Sequence, residues 1–228
     1  MTNALPHNRI TNLSVWSGSK QIINDLNFEL HANNIYVVLG PGGSGKSVLT
    51  KLLTNQNTLG SLRVEGNILN SIGDYAHMRQ DVKEPALSLK DHLKFNDPFS
   101  YVRKLWGNGE VSKHLKEHFE TPVNKLPAEL VKPVQLTFSM QNASESQWLF
   151  FDEPEVNSDS NMTAIAEVIK SLKKDRVIIV NTHHIAFARQ LADYILLIIY
   201  GQPKFFGPAK EFYNSPETVI QNVLNYGI

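Results

Sequence analysis

The string Gly40-Pro41-Gly42-Gly43-Ser44-Gly45-Lys46-Ser47 satisfies GxxxxGK[ST] and follows the apolar run Ile35-Tyr36-Val37-Val38-Leu39. Residues 48–53 then carry helical spacing, so the glycines sit between a strand and a helix, the context in which this pattern binds phosphate. Each residue type has a task. The glycines let successive N–H groups curl around phosphate oxygens, and the helix N-terminus adds a favourable dipole. Lys46 reaches the β- and γ-phosphates and the Ser47 hydroxyl can ligate Mg²⁺. The complete motif outweighs the alternative of an ordinary glycine turn. A nucleoside triphosphate is the expected ligand.

The rest of the chain gives this loop an α/β setting. Strand-like stretches at 10–16, 21–30 and 35–39 precede it, and 61–69 returns to strand character around Gly66. From 89 to 146 the texture becomes helical, with Pro98, Pro122, Pro127 and Pro133 expected to interrupt short helices. A plain alternation follows: strand 148–151, helix 161–172, strand 177–180, helix 185–191 and strand 194–199. This predicts a mostly parallel sheet. Residues 208–226 read as helical and peripheral. At 228 residues one principal domain is expected, with 1–88 and 147–228 as the nucleotide-binding core and 89–146 as an inserted helical subdomain.

Composition excludes several classes. Lys+Arg and Asp+Glu both total 22, so no global basic field exists to hold nucleic acid, and none is expected as a partner. The absence of cysteine removes disulfides, thiolate metal sites and cysteine nucleophiles together. The run Tyr194-Ile195-Leu196-Leu197-Ile198-Ile199-Tyr200 is far short of the roughly 20 residues of a membrane helix and reads as a buried strand. The polar start has no secretory character, so a cytoplasmic chain is expected, with any membrane crossing left to another subunit.

Phe150-Phe151-Asp152-Glu153-Pro154 closes an apolar strand with two adjacent acids. At a strand end one carboxylate can face the Mg²⁺ shell while the next faces the attacking water. Asp152 is therefore assigned to the metal and Glu153 to general base. A solvated acidic turn is the competing reading, and the glycine loop upstream weighs against it. Beyond the strand at 177–180, His183 is placed to donate a hydrogen bond to a γ-phosphate oxygen.

With these motifs in this order, the chain from about Ile10 onward resembles the nucleotide-binding domain of the ABC (ATP-binding cassette) ATPases. The resemblance implies a P-loop NTPase fold with an N-terminal antiparallel β subdomain and an inserted helical subdomain. It implies ATP and Mg²⁺ as ligands, ATP hydrolysis as the activity, and contacts to the nucleotide from Gly40 through Ser47 and from Val48. Trp16 lies where the family places the aromatic that stacks on adenine. Gln80, in His-Met-Arg-Gln-Asp, resembles the glutamine that meets the metal and couples to a partner. Asp152-Glu153-Pro154 resembles Walker B, Asn157-Ser158-Asp159 the D-loop, and Thr182-His183 the switch histidine. The ending, Tyr194 to Ile198 and then Gly201 to Phe212, is similar to that of cassettes that energise solute transport.

Two departures accompany the resemblance. Where the family carries Leu-Ser-Gly-Gly-Gln, this chain has Leu126-Pro127-Ala128-Glu129-Leu130. In the family that segment caps the γ-phosphate of the opposite cassette. Pro127 lacks both hydroxyl and N–H, and an inward Glu129 carboxylate would repel a triphosphate. The segment Phe138-Ser139-Met140-Gln141-Asn142 lies too close to Asp152 to replace it. Val48 stands where the family usually has Thr or Ser, costing one phosphate hydrogen bond of about 1 kcal/mol.

The implied function is an ATP-hydrolysing subunit of an ABC transporter, dependent on a second cassette, with a heterodimer favoured over a homodimer. Membrane-spanning permease subunits would hold it on the inner face of the membrane. The alternative is a non-transport cassette acting as a nucleotide switch in a soluble, for example biosynthetic, complex. A GTPase or small-molecule kinase is disfavoured because no Asn-Lys-x-Asp string is present.

Overall fold

In a computed structural model, residues 5–55, 60, 62–70, 72–79, 87–141, 143, 146–156 and 159–227 are described. The N-terminal half opens with β1 (His7–Ser17), β2 (Lys20–His31) and β3 (Asn34–Leu39), then α1 (Lys46–Leu53), β4 (Leu62–Ile68) and β5 (Tyr75–Met78). A helical stretch follows: α2 (Leu89–His92), α3 (Pro98–Trp106), α4 (Glu110–Glu117), a 3-10 turn at Val123–Lys125 and α5 (Ala128–Met140). The chain then alternates through β6 (Trp148–Asp152), α6 (Asp159–Ser171), β7 (Val177–Thr182), α7 (Ile185–Leu191) and β8 (Tyr194–Ile199). It ends in β9 (Gln202–Pro208), α8 (Ala209–Tyr213) and α9 (Thr218–Tyr226).

Two sheets form. β2-β1-β4 is antiparallel, and β5-β6-β7-β3-β8-β9 is parallel except for the β8–β9 pair. The period of two in each central strand explains the layering. Ile35, Val37 and Leu39 of β3, with Leu149, Phe151, Ile178 and Val180 of β6 and β7, face one core shared with the helices. Tyr36, Val38, Phe150, Ile179 and Leu196 face a second core shared with the antiparallel sheet and α1. Each such side chain contributes about 1.5–3 kcal/mol by leaving water. The double burial is why these strands read as unbroken apolar runs.

Three sequence expectations are corrected. The tail is not peripheral: Phe212 and Ile220 are 0% exposed within the main core. The stretch before it, from Gly201, likened to the turn of a strand-turn-helix ending, holds strand β9, whose Pro203 and Gly207 an antiparallel edge tolerates. Pro133 does not break its helix. It lies inside α5, and the Glu129 carbonyl that its missing N–H leaves over accepts instead from Asn161 Nδ2 at 3.2 Å. The Pro133 carbonyl accepts from Thr137 Oγ1 at 2.8 Å. Pro98 and Pro127 behave as helix starts, at N1 of α3 and the N-cap of α5.

A short main-chain contact joins the antiparallel sheet to the phosphate loop. Gly45 has φ +105, and a Cβ there would stand 3.1 Å from the Ile22 carbonyl oxygen of β2. Gly201, at φ +76 in the β8–β9 turn, approaches the same oxygen, which a Cβ would meet at 2.3 Å. The Ile22 peptide is thus wedged between two positions that accept only glycine. Among the described residues no helix is long and apolar enough to cross a membrane.

Candidate active site

β3, β6 and β7 are adjacent and parallel, so their carboxyl ends gather the loops that follow them, the usual ligand position in such sheets. The residues after β3 form the phosphate loop, β6 ends on Asp152, and β7 ends on Thr182. α1 starts with Lys46, Ser47 and Val48 as its first three residues, whose N–H groups lie in the turn that has no carbonyl partners within the helix.

Lys46 is 6% exposed and its Nζ donates to the carbonyls of Gly40 at 2.6 Å and Pro41 at 2.9 Å, folding over the loop. Burial pulls the ammonium below the usual lysine pKa, while the carboxylates of Glu153, Glu155 and Asp152 act in the opposite sense. Ser44 closes the loop by donating its N–H to the Pro41 carbonyl at 3.2 Å, and its Oγ is buried with no partner among the described residues. Gly42, Gly43 and Ser47 are exposed at the loop's open side. An orphaned hydroxyl, a lysine folded over the loop and a free helix start suit an oxyanion ligand such as a polyphosphate.

Asp152 is 8% exposed and held from both sides. His77 Nε2 on β5 lies 2.9 Å from Oδ2, and Asn181 Nδ2 on β7 donates to Oδ1 and also to Thr50 Oγ1 of α1 at 2.7 Å. Glu153 has φ 47, a left-handed conformation that costs a non-glycine residue about 1–3 kcal/mol. Its N–H donates to the Asn181 carbonyl at 2.9 Å, and this turn sends its side chain to Oε1–Nδ1 contact with His183 at 3.3 Å. Such a conformation persists where the surrounding structure over-determines it.

Glu155 accepts a hydrogen bond from the Thr182 hydroxyl, and its Oε2 is buried without a partner among the described residues. Burial pushes its carboxyl above the usual carboxylate range; the Thr182 bond opposes this and neighbouring Glu153 adds to it. Thr182 Oγ1 accepts in turn from the His184 N–H at 2.9 Å, which shapes the start of α7 behind His183. Trp16, on β1, is partly exposed and carries the Arg63 guanidinium 4.1 Å from a ring centroid.

Residues 40–48, Asp152, Glu153 and His183 therefore lie at neighbouring strand ends, whereas Trp16 lies on the other sheet. Gln80, Asn157, Ser158 and Asn142 lie outside the described residues. The sequence reading did not single out His77, Asn181 or Glu155. The available signal was a polar residue inside or just beyond an apolar strand.

Residues 23–156 match the family described as ABC transporter. The chain belongs to the ABC transporter family. It is the family's ATP-binding, ATP-hydrolysing cassette. The glutamate transport ATP-binding protein GluA of Corynebacterium efficiens is 29% identical over 227 residues, spanning 92% of this chain and 94% of that protein. The phosphate import ATP-binding protein PstB of Thermotoga maritima is 25% identical over 239 residues, spanning 91% of this cassette and 92% of that protein. Among solved structures, an ATP-bound bacterial Atm1-family ABC exporter matches with a TM-score of 0.76 at 16% identity. That match covers 97% of this cassette and 42% of the exporter chain. A nucleotide-free ATP-binding cassette from an ABC transporter gives 0.70 at 14% identity, covering 95% and 98%.

Proposed function

We propose that this cassette hydrolyses ATP between the loop at residues 40–48 and a signature segment supplied by a different cassette, as the energising pair of a transporter. The observation that carries the reading is Glu153, turned by its left-handed backbone to within 3.3 Å of His183 beside the Lys46 loop.

Adenine stacks on Trp16, and the β- and γ-phosphates take the N–H groups of the loop and of the first turn of α1, the Lys46 ammonium and the Ser44 hydroxyl. Ser47, Asp152 and Gln80 would hold Mg²⁺, which would supply charge neutralisation on the phosphate oxygens. Glu153 accepts a proton from water as the water oxygen bonds to the γ-phosphorus and the bond to the bridging oxygen breaks, giving ADP and phosphate. His183 donates to a γ-phosphate oxygen and is kept near Glu153 by the Thr182–Glu155 contact behind it.

Leu126 to Leu130 leads into α5, with Pro127 as its N-cap and Glu129 exposed in its first turn. A helix start without the first amide and with a carboxylate is a poor cap for a triphosphate. Two copies of this chain would each present it, so a second, different cassette is favoured. Permease subunits complete the assembly and place it on the cytoplasmic face of the membrane. The relatives named for glutamate transport and phosphate import differ in solute, so the energising role is the part carried over.

Phosphate release by the purified chain, alone and with candidate companion cassettes, tests this. Low activity alone that rises with a companion is expected. High activity alone, lost in Glu153→Gln, would overturn the heterodimer. Replacing Pro127→Ser together with Glu129→Gly is expected to raise the activity of the chain alone by about ten-fold or more, the scale of restoring a preorganised anion donor.

A further inference from the structure

Asp152 is the last residue of β6, and the residues that hold it come from the strands on either side. Asn181 is its register partner on β7, and His77, on β5, pairs with Phe150 two positions back on the same face. The His77 side chain is 8% exposed and its ring lies edge-on to Phe150 at 6.0 Å. Nδ1 is buried and has no partner among the described residues. A carboxylate oxygen accepts, so at 2.9 Å from Asp152 Oδ2 it is the Nε2–H of His77 that donates.

We infer that His77 is a positioning residue for the cation-binding carboxylate, fixing Asp152 Oδ2 from β5 while Asn181 fixes Oδ1 from β7. The inference rests on the assignment of Asp152 to the divalent cation. A carboxylate with a donor on each oxygen cannot rotate, so the lone pairs left over point in one direction, as donors behind metal-binding groups generally arrange. The Asn181 amide also reaches Thr50 on α1, so the phosphate-loop helix, β7, β6 and β5 share one polar chain through an apolar layer. An ordinary core histidine would fill volume; this one directs a ring N–H to the carboxylate assigned to the cation.

The test separates cation binding from nucleotide binding. ATP affinity is measured by calorimetry in EDTA, and Mn²⁺ affinity of the ATP-loaded chain by electron paramagnetic resonance. His77→Leu removes the donor, and His77→Phe does so with the ring volume kept, should the leucine variant not fold. His77→Gln retains an N–H donor. We expect both donor-free variants to keep the EDTA affinity within about two-fold and to lose about ten-fold or more in Mn²⁺ affinity, with His77→Gln recovering most of it. Unchanged Mn²⁺ affinity in the donor-free variants overturns the inference alone. Equal losses in EDTA and in Mn²⁺, unrescued by glutamine, overturn it in favour of a packing role. A wild-type chain that binds ATP without taking Mn²⁺ overturns the cation assignment itself, and the inference with it.

Discussion

The Nδ1 atom of His183 lies 3.3 Å from Oε1 of Glu153, across the gap between the ends of β6 and β7. Each residue sits just beyond its strand, and the Glu153 N–H to Asn181 carbonyl bond locks the two ends together. Glu153→Gln keeps the shape and removes the proposed base. Turnover with the companion cassette is expected to fall by about 100-fold or more with ATP affinity retained, read by phosphate release and by calorimetry.

Trp16 is partly exposed, whereas Trp106 and Trp148 are 8% and 6% exposed. Tryptophan emission is therefore expected to change on ATP addition, and the change should vanish in Trp16→Ala. Losing a base-stacking ring costs about 1–3 kcal/mol, so the variant's ATP affinity should fall roughly 5- to 150-fold in calorimetry.

Glu155 gives a pH signature. Burial raises its carboxyl above the unfolded value, so the folded chain binds that proton more tightly than the unfolded chain. Below the ordinary carboxylate pKa both forms are protonated and burial carries no charge cost. As pH rises through that value the unfolded chain ionises first and stability falls, until the folded carboxyl ionises as well. Glu155→Gln should therefore melt higher than wild type at about pH 8, with the gain fading toward about pH 4. Each kcal/mol of relief corresponds to about 2–4 °C for a chain of this size. A constant difference across this range would count against the buried carboxyl as its source.

The Glu129 carbonyl, deprived of an N–H by Pro133, is served by Asn161 at 3.2 Å. Asn161→Ala is expected to cost about 1 kcal/mol in denaturant unfolding. In a Pro133→Ala background the restored amide can serve the same carbonyl, so the Asn161→Ala cost should shrink by about 0.5 kcal/mol or more.

Much of the fold was legible because β3, β6, β7 and β8 are buried on both faces and read as continuous apolar runs punctuated by loops. β5 escaped because four residues containing Ala76 and His77 carry little strand signal, and β9 because Pro203 and Gly207 resemble turn residues. Pro133 misled because the compensation for a proline in a helix comes from Asn161, on another element. At the site, the phosphate loop and the acidic pair were legible because their parts are contiguous in sequence. His77, Asn181 and Glu155 were not, since their importance depends on which strands lie side by side, and only the order β5-β6-β7 brings them to Asp152 and Thr182.

The Ile22 peptide, trapped between Gly45 and Gly201, fixes how far the sheet bearing Trp16 stands from the loop bearing Lys46. That spacing is set by backbone against backbone, with no rotamer to absorb error. If adenine stacks on Trp16 as proposed, the cassette measures its ligand like a caliper. Nucleotides whose sugar linkage lengthens or shortens the reach from ring to terminal phosphate should lose one anchor or the other, rather than be accommodated.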